Sequence, residues 1–467
     1  MTQVRNDGLI KVISGERFTP FALARKLDAK VILESSSFKK GRERYSLLLV
    51  KEAFQLHQLP NRVILYPAGE AGLPVPERDI LEAAVRLASE HPAIRQDVPF
   101  PAGGVGYLSY EFARRCDAIE FLSKPDEIGV PEAVLLFGHV FVVFDHYTDI
   151  IYIIGLNYHG FEIDLEREVE RTEARINDLD FNYLAKRDGD YPSRILSAIP
   201  ESEEFLEGVR FVRSQIERGN LLQGVLSRRL TVETELPAIE AYKSLRSVNP
   251  SPYLFYIDFG QFQLFGASPE VHVKVKDGRA VLRPIAGTRR RGADRDEDRV
   301  LESDLLGDEK ELAEHRMLID LARNDLGRIA RPGTVKVSEM MGIEHYSHVM
   351  HIVSQAEAEL DEGITIPEVI RATFPAGTVS GAPKIQAIRT IDSIETVTRS
   401  FYAGLVGYFE PEGSLDSCIT IRSGLKRGNR LYLQAGAGIV YDSIPERELE
   451  ETAEKLRALA SAVGLEV

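Results

Sequence analysis

The stretch EAVLLFGHVFVVFDHYTDIIYIIGL, residues Glu132–Leu156, decides the class of fold. Two runs rich in β-branched and aromatic residues lie on either side of the polar segment FDHYTD, and this pattern predicts two strands joined by a turn. Shorter apolar runs precede it at residues 29–36, 44–50 and 62–67, with a helical pattern at residues 76–91. The first third of the chain is therefore predicted to be rich in strands.

The rest of the chain mixes helices and strands in irregular order. The charged segment from about Glu162 to Ser202 predicts a helix followed by a surface linker. Beyond it, helices are predicted at Ser202–Glu217 and Asp308–Ile329, and strands at residues 221–233, 253–268, 271–285, 403–410, 417–425 and 430–441. Hairpin-like strand pairs in this mixed order predict an α+β fold.

We divide the chain into an N-terminal region at residues 1–165, a linker at 166–202 and a large domain at 203–465. The predicted architecture is a set of extensive, mostly antiparallel β-sheets that form a sandwich-like core, with helices outside it.

Composition excludes several classes of protein. The chain has 467 residues, of which 44% are hydrophobic and 28% charged, so a globular protein is expected. A formal net charge of −15 argues against nucleic-acid binding. No apolar run approaches the ~18 residues that span a bilayer, and the N-terminus lacks the apolar core of a signal peptide. Only two cysteines, Cys116 and Cys418, occur, without CxxC spacing, which favours a reducing, cytoplasmic setting.

Two predicted helices each carry a pair of glutamates three residues apart, Glu311 and Glu314 on one, Glu448 and Glu451 on the other. One such pair alone is usually a solvated charged face. The second helix, however, with Ser443 as its predicted N-cap, directly follows the small-residue run of QAGAGIVYDS, which would let a ligand approach the backbone. Oxygen ligands on two helices suit Mg²⁺, and the cations Arg422 and Lys455 could pair with a second carboxylate of the ligand. These residues suggest a Mg²⁺-assisted site for a small polycarboxylate.

His351 lies in the apolar run VMHIV, which favours a strand or a buried segment. Such a histidine is either a hydrogen-bonded core residue or a general acid or base, and the residues alone leave both open.

Several blocks of the sequence resemble the chorismate-binding enzymes, and most closely the component I subunits that make anthranilate. The blocks run in family order: RPIAGTRRRG, DEKELAEHRMLIDLARNDLGRIARPGTVKV, YSHVMHIVS, TFPAGTVSGAPKIQAI, YAGLVGYF, CITIR and QAGAGIVYDSIPERELEET. The N-terminal VILESSSFKKGRERYSLLLV and the segment NPSPYLFY are similar too, so the resemblance covers nearly the whole chain. It implies Mg²⁺-dependent attack of ammonia on chorismate, loss of a hydroxyl and elimination of pyruvate.

The resemblance also implies the site residues. Glu270 would protonate the leaving hydroxyl, His351 would assist aromatisation, and Thr378 would act beside them. Mg²⁺ would be held by Glu314 and Glu451, with Glu311 and Glu448 alongside. The substrate would be bound by Gly287, Thr288, Tyr402, Arg422, Ala437, Gly438 and Lys455.

Ala286 separates this branch from its relatives. Enzymes of the family that make isochorismate, salicylate or 4-amino-4-deoxychorismate typically carry a lysine there, which activates water at C2 or attacks there itself. Alanine leaves room for ammonia. A 4-amino-4-deoxychorismate synthase component and a non-catalytic tryptophan-binding subunit remain the alternatives.

The resemblance further implies a partner and an effector. Glutamine hydrolysis needs a nucleophilic cysteine with a histidine base, and neither cysteine lies in a nucleophile turn, so a separate glutamine amidotransferase subunit is expected, in a heterotetramer. Feedback by tryptophan is expected as well. Glu34 and Ser35 would bind the effector's amino group, and its pocket would be lined by Pro252, Tyr253, Leu254 and Cys418.

Overall fold

The computed structural model of the chain describes residues 3–5, 8–35, 44–91, 98–178, 191–346 and 349–465. The end of the first predicted strand, at residue 36, and part of the predicted linker, at 179–190, lie outside the described residues.

Strands are the most abundant regular structure of the described chain. In order they are β1 Gln3–Arg5, β2 Gly8–Ser14, β3 Val31–Glu34, β4 Tyr45–Leu59, β5 Arg62–Pro67, β6 Leu73–Pro74, β7 Val105–Leu108, β8 Ala133–Asp145, β9 Ile150–Leu156, β10 Ser193–Ile199, β11 Gln223–Thr234, β12 Tyr253–Asp258, β13 Gln263–Ser268, β14 Val271–Lys276, β15 Arg279–Leu282, β16 Ile285–Arg290, β17 Lys336–His345, β18 Val349–Glu359, β19 Gly381–Ala382, β20 Leu405–Glu410, β21 Ser414–Ile419, β22 Ser423–Arg427 and β23 Arg430–Ile439.

The helices are α1 Pro20–Leu27, α2 Ile80–Ser89, α3 Leu165–Asn177, α4 Ser202–Glu217, α5 Ala238–Val248, α6 Arg295–Gly307, α7 Glu309–Gly327, α8 Ile366–Thr373, α9 Lys384–Ile394 and α10 Pro445–Ala462. Short 3₁₀ turns occur at Tyr110–Arg115, Gly377–Val379 and Pro411–Gly413.

The strand pair predicted around FDHYTD is present as β8 and β9, which pair antiparallel from Asp145 opposite Ile150. Every residue of β8 is buried. Side chains of a strand alternate between the two faces of the sheet, and both faces of β8 are covered: Val143 packs into one apolar core, while its neighbours Val142 and Phe144 pack into another. This explains a run that is continuously apolar instead of alternating.

All pairings among the described strands are antiparallel. Strand β8 lies at a junction, because it pairs with β4 and also with β7. One series continues from β4 through β3, β12, β13, β22, β23 and β11, and the other from β7 through β20, β21, β14, β15 and β18.

The larger apolar core draws residues from both series, among them Leu47, Phe255 and Leu425 from the first and Val273 and Leu405 from the second. A second core lies on the other face of the first series, where helices α1, α5 and α10 pack. The predicted α+β class, with antiparallel sheets in a sandwich-like core and helices outside, is confirmed.

The helix predicted after Glu162 is present as α3, and the described part of the segment that follows it also contains β10, which pairs with β11 from Ser193 to Ile199. One local prediction is wrong. Ser443 is not the N-cap of α10. Ile444 occupies that position, and the Ser443 hydroxyl instead accepts a hydrogen bond from the Val440 N–H at 3.0 Å. The division into three regions remains a prediction.

Among the described residues, no helix combines the length and the apolar character that crossing a membrane requires.

Phe54, on strand β4, belongs to the larger apolar core, and its replacement tests the packing of that core. It is fully buried, and its ring stacks on Phe137 with the ring centroids 4.7 Å apart. Replacing Phe54 with Ala is expected to lower the free energy of unfolding by about 3–5 kcal/mol, because a large ring is lost from a packed interior. Urea unfolding followed by tyrosine fluorescence measures this loss.

Tyr147, in the exposed β8–β9 turn, provides the control. It is 63% exposed, and Tyr147→Ala is expected to change stability by no more than about 0.5 kcal/mol. Equal losses in the two variants would contradict the proposed position of the core.

Candidate active site

Helix α7 presents Glu311 and Glu314 on one face. Asp308 caps this helix by accepting hydrogen bonds from the backbone N–H groups of Lys310 and Glu311. The Glu314 carboxylate accepts a hydrogen bond from Gln223 Nε2 on β11 at 2.8 Å. Burial raises the pKa of Glu314, and the charges of Glu311 and Glu451 raise it further, while the bond from Gln223 opposes the rise. Carboxylates of the two predicted helices therefore interact electrostatically.

Helix α10 is attached to strand β23 through Lys455. The Lys455 ammonium donates to the Gly436 carbonyl at 2.9 Å and to Glu451 Oε1 at 2.6 Å. Glu448, one turn before Glu451, has its pKa raised by burial and by the charge of Glu451.

The small residues of strand β23 alternate between the two faces of the sheet, alanines on one face and glycines on the other. Ala435 and Ala437 are buried in two apolar cores. Gly436 and Gly438 face the other way: a Cβ on Gly436 would lie 2.6 Å from the Tyr402 hydroxyl, and one on Gly438 would lie 2.8 Å from Gln223 Nε2 and 4.0 Å from Glu314 Oε1. The glycines line the site, whereas the side chain of Ala437, a predicted substrate contact, points into the core behind it.

Strand β16 has a β-bulge at Gly287, where it pairs with strand β18 next to His351. Ala286 pairs with Ile352 and Thr288 with His351, so Gly287 is the extra residue, with a left-handed φ of 65°. A Cβ there would lie 3.2 Å from Glu311 Oε2, which places the bulge beside the α7 carboxylates.

The bulge also sets the tautomer of His351. Its Nδ1 lies 2.8 Å from the Gly287 carbonyl oxygen and 3.1 Å from the exposed Thr288 hydroxyl. A carbonyl only accepts, so Nδ1 carries the proton and Nε2 retains its lone pair. Burial lowers the pKa of His351, which keeps the ring neutral and able to accept a proton at Nε2.

Glu270 is the buried acid of the site. It is 8% exposed, and burial raises the pKa of its carboxyl to about 8, so it is protonated at neutral pH. The Thr378 hydroxyl opposes this rise only in part. The Thr378 hydroxyl lies beside Glu270 and lines the same cavity.

Arg422 supplies a cation without a carboxylate partner among the described residues. Surrounding protein lowers the pKa of its guanidinium, yet the residue keeps an exposed surface. A lowered pKa together with an exposed surface is expected of a cation that lines a concave, water-accessible site. Arg422 lowers the pKa of His351, and the pKa of Tyr402 responds to both Arg422 and Glu270, so these four groups share one site.

The described residues contain no cluster of three or more His, Cys, Asp or Glu side chains already gathered to hold a metal ion. Glu451 is instead paired with Lys455, and Glu311 lies 3.6 Å from Arg289. Mg²⁺ binds through one or two protein carboxylates together with waters and ligand oxygens. Glu314, with its pKa raised by two neighbouring carboxylates, and Glu451 on the facing helix fit that donor set.

The six predicted effector residues all line one cavity of about 530 Å³. They do so from different faces. The Glu34 carboxylate accepts two hydrogen bonds from Arg246, at 2.6 and 2.9 Å, and one from Tyr242 at 2.8 Å, all from helix α5. Leu254, which pairs with Glu34, is buried on the same α5 side.

The other effector residues lie on the opposite face of the cavity or at its edge. The side chains of Tyr253 and Cys418 pack against the larger apolar core. Pro252 also lines the cavity, and the Ser35 hydroxyl is buried with no hydrogen-bond partner among the described residues.

Sequence reasoning missed Gln223 and Tyr346. Gln223 bonds Glu314 because the β11–β23 register places it beside Gly438, and its own Oε1 is buried without a partner. Tyr346 packs its ring edge-on against His351, with centroids 5.4 Å apart. Neither position carries a local signal in the sequence.

Comparison with known protein families identifies the class of this protein as a chorismate binding enzyme. The family model of the chorismate binding enzymes matches residues 42–461, so the chain belongs to that family. Relatives across the full length are named anthranilate synthase component 1. The protein of that name from Spirochaeta aurantia is 57% identical over 464 residues, covering 99% of this chain and 96% of its own length. The one from Aquifex aeolicus is 38% identical, covering 96% and 92%.

Solved structures agree with this assignment. The crystal structure of anthranilate synthase component I from Streptococcus pneumoniae TIGR4 superposes with a TM-score of 0.79 at 33% identity, covering 89% of this chain and 92% of its own. The menaquinone-specific isochorismate synthase of Escherichia coli, at 19% identity and a TM-score of 0.72 over 97% of this chain and 94% of its own, shares the fold.

The raised pKa of Glu270 gives a pH prediction. Its carboxyl stays protonated up to about pH 8 when folded but ionises near the ordinary value of 4.5 when unfolded, so the wild type should lose stability as the pH rises through that window. Glu270→Gln cannot ionise and should lose less over the same range. Urea unfolding at about pH 5, 7 and 8.5 measures the difference.

Glu70 is exposed and serves as the control, because Glu70→Gln should follow the wild type at every pH. A stability difference between wild type and Glu270→Gln that is constant from about pH 5 to 8.5 would show that Glu270 titrates normally.

Proposed function

We propose that the chain is the chorismate-converting subunit of an anthranilate synthase, turning chorismate and ammonia into anthranilate, pyruvate and water, the first committed step of tryptophan synthesis. The observation that carries the proposal is the grouping of a neutral buried acid, Glu270, a histidine with a free Nε2, His351, and the unpaired cation Arg422. Elimination of a hydroxyl from a dicarboxylate needs an acid, a base and an anion-binding cation.

Each residue then has a chemical task. Arg422 binds a substrate carboxylate, with the hydroxyls of Tyr402 and Thr378 and the backbone beside Gly287 and Gly438 completing the anion contacts. Glu270 donates its proton to the departing hydroxyl, which leaves as water while ammonia adds at C2. His351 Nε2 then takes the proton lost from C2 as the C3–O bond breaks, the ring becomes aromatic and the side chain leaves as the enolate of pyruvate. The proton that the added ammonia releases balances the one that the enolate takes up to become pyruvate.

Mg²⁺ would be held by Glu314 and Glu451, with Glu311 and Glu448 beside them. An ion bound to the ring carboxylate withdraws charge from the ring as the hydroxyl departs. In the free protein Lys455 forms an ion pair with Glu451. It is proposed to bind the ring carboxylate of the substrate beside the metal ion.

Ala286 supports ammonia as the nucleophile at C2. It is half-buried and immediately precedes the Gly287 bulge, where its methyl group offers neither an amine nor a proton acceptor. A lysine at that point would compete with ammonia for C2.

The ammonia is proposed to come from a glutamine amidotransferase subunit, in a heterotetramer. Both cysteines are free and buried, and burial raises the pKa of each thiol, so neither is suited to attack glutamine. The two free thiols also support a cytoplasmic location.

The reaction is tested with the purified chain, chorismate, Mg²⁺ and ammonium at alkaline pH. Anthranilate fluorescence follows turnover, and chromatography identifies the products. Formation of anthranilate and pyruvate is expected. 4-Amino-4-deoxychorismate or isochorismate as the product would overturn the assignment.

The metal assignment is tested by Glu314→Gln together with Glu451→Gln. The double variant is expected to lose at least about a thousandfold in Mg²⁺-dependent turnover while it remains folded, because both proposed metal-binding carboxylates are removed. Glu450→Gln, an exposed change on the same helix, is the control and should retain wild-type turnover. Retained turnover in the double variant would refute the assignment.

We propose that the 530 Å³ cavity binds tryptophan as a feedback effector. Apolar side chains such as Leu33 and Val275 can contact the ring, and the cavity also holds both signs of charge for an amino acid's two ends. The Glu34 carboxylate, which Arg246 and Tyr242 hold in place, and the Ser35 hydroxyl are proposed to bind the ammonium group.

Ser35→Ala tests this cavity. The hydroxyl is buried and bonds to no described group, so its removal breaks no described hydrogen bond of the free protein. If the effector bonds to it, the tryptophan concentration for half-inhibition should rise about tenfold. Ser214→Ala, at a half-buried position on α4 outside the cavity, is the control. Unchanged inhibition in Ser35→Ala would place the effector elsewhere.

A further inference from the structure

Arg399 is a buried cation outside the predicted site. It is 2% exposed and lies between α9 and β20. Its guanidinium makes a bidentate pair with Glu395, at 2.8 Å through Nε and 2.7 Å through Nη2. It also donates to two backbone carbonyls, Val379 at 2.8 Å and Val225 at 2.6 Å.

The two carbonyls belong to segments that line the candidate active site. Val379 directly follows Thr378 in the same 3₁₀ turn. Val225 pairs with Gly438 in the β11–β23 ladder. The guanidinium also lies 5.7 Å from the ring centroid of Tyr402. One cation therefore contacts two parts of the chain that carry predicted site residues, Thr378 and Tyr402, and the strand that pairs with a third, Gly438.

Glu395 extends the same network into strand β11. Its Oε1 accepts from the Ser227 N–H at 3.0 Å and from the Ser227 hydroxyl at 2.9 Å. The Ser227 hydroxyl in turn accepts from Gln434 Nε2 at 2.8 Å. The carboxylate is thus satisfied on both oxygens within the protein interior.

The backbone that carries Arg399 is held in an unusual conformation. Ser400 and Ala403 have left-handed φ angles of 55° and 61°. Glu111 accepts hydrogen bonds from the N–H groups of Arg399 and Ser400, at 2.7 and 3.0 Å. Such a conformation persists only where surrounding contacts enforce it, and here it delivers Tyr402 to the site.

Stability alone does not account for this ion pair. Desolvating two charges costs several kcal/mol, and apolar residues of similar size often serve a core equally well. The particular capacity of a guanidinium is to hold several acceptors in one plane at fixed angles.

We propose that Arg399 is a positioning residue for chorismate binding, which fixes the Thr378 turn, the strand opposite Gly438 and the Tyr402 ring relative to one another. The proposal rests on the proposed function. Because these groups would contact the substrate in its ground state as well as in the transition state, their displacement should raise KM more than it lowers kcat.

The experiment compares Arg399→Lys with Arg371→Lys. Arg371 also makes a partly buried pair, with Asp79 at 2.6 Å and Glu82 at 3.1 Å, but it joins α8 to α2 outside the site. Lysine keeps the charge and loses the planar fork. Both variants should lose thermal stability, whereas only Arg399→Lys should raise KM for chorismate, by about tenfold or more, with kcat changed less than about threefold.

Amide hydrogen exchange supplies a second readout that does not depend on turnover. Residues 223–226 and 377–380 should exchange faster in Arg399→Lys than in Arg371→Lys. Glu395→Gln, which keeps the size of the side chain, should show the same exchange and the same rise in KM if Arg399→Lys fails to fold.

The outcomes separate the two claims. A wild-type chain that does not convert chorismate overturns the proposed function, and the exchange data then decide the role of Arg399. Unchanged exchange in both segments, or an equal KM rise in Arg371→Lys, overturns the positioning role.

Discussion

The β11–β23 ladder is the constraint on which the rest of the site depends. Ten consecutive pairs join these strands, from Gly224 with Ile439 to Glu233 with Arg430. The ladder has to close a core on one face and leave room for a ligand on the other, so alanines fill the first face and glycines open the second. Lys455 holds this ladder from the α10 side, through the Gly436 carbonyl, and Arg399 holds it through the Val225 carbonyl.

Charge in the site is arranged in separate zones. Glu270 is kept neutral by burial, Arg422 has no carboxylate partner among the described residues, and the glutamates of α7 and α10 crowd one another. The unpaired cation and the crowded carboxylates lower the stability of the free protein. A dicarboxylate with a divalent ion would carry charges opposite to those of Arg422 and of the glutamates.

Local patterns in the sequence were enough for most of the fold. The strands around FDHYTD, helix α4 and helix α7 follow from periodicity and caps, which are set by neighbouring residues. The prediction of Ser443 as a cap was wrong because its hydroxyl accepts a hydrogen bond from the Val440 N–H in the turn that precedes the helix. The site is different, since Glu270, His351 and Arg422 come from segments far apart in the chain, and only the resemblance to known blocks indicated their grouping. Gln223 and Arg399 escaped notice because their partners Glu314 and the Val225 carbonyl are distant in the sequence, and no local pattern reveals such contacts.

The junction at β8 links regions that are far apart along the chain. Strand β7 pairs with β20, so Tyr107 lies opposite Val406, and β3 pairs with β12, so Leu33 lies opposite Phe255. Pairing between such distant segments requires the closure of very long loops, and the entropy lost on closure is offset only after the contacts have formed. Chains with this topology therefore fold slowly. The candidate active site is therefore expected to form late in folding. Until then the long apolar strands β4 and β8 lack their final neighbours, so the newly made chain is expected to be prone to aggregation.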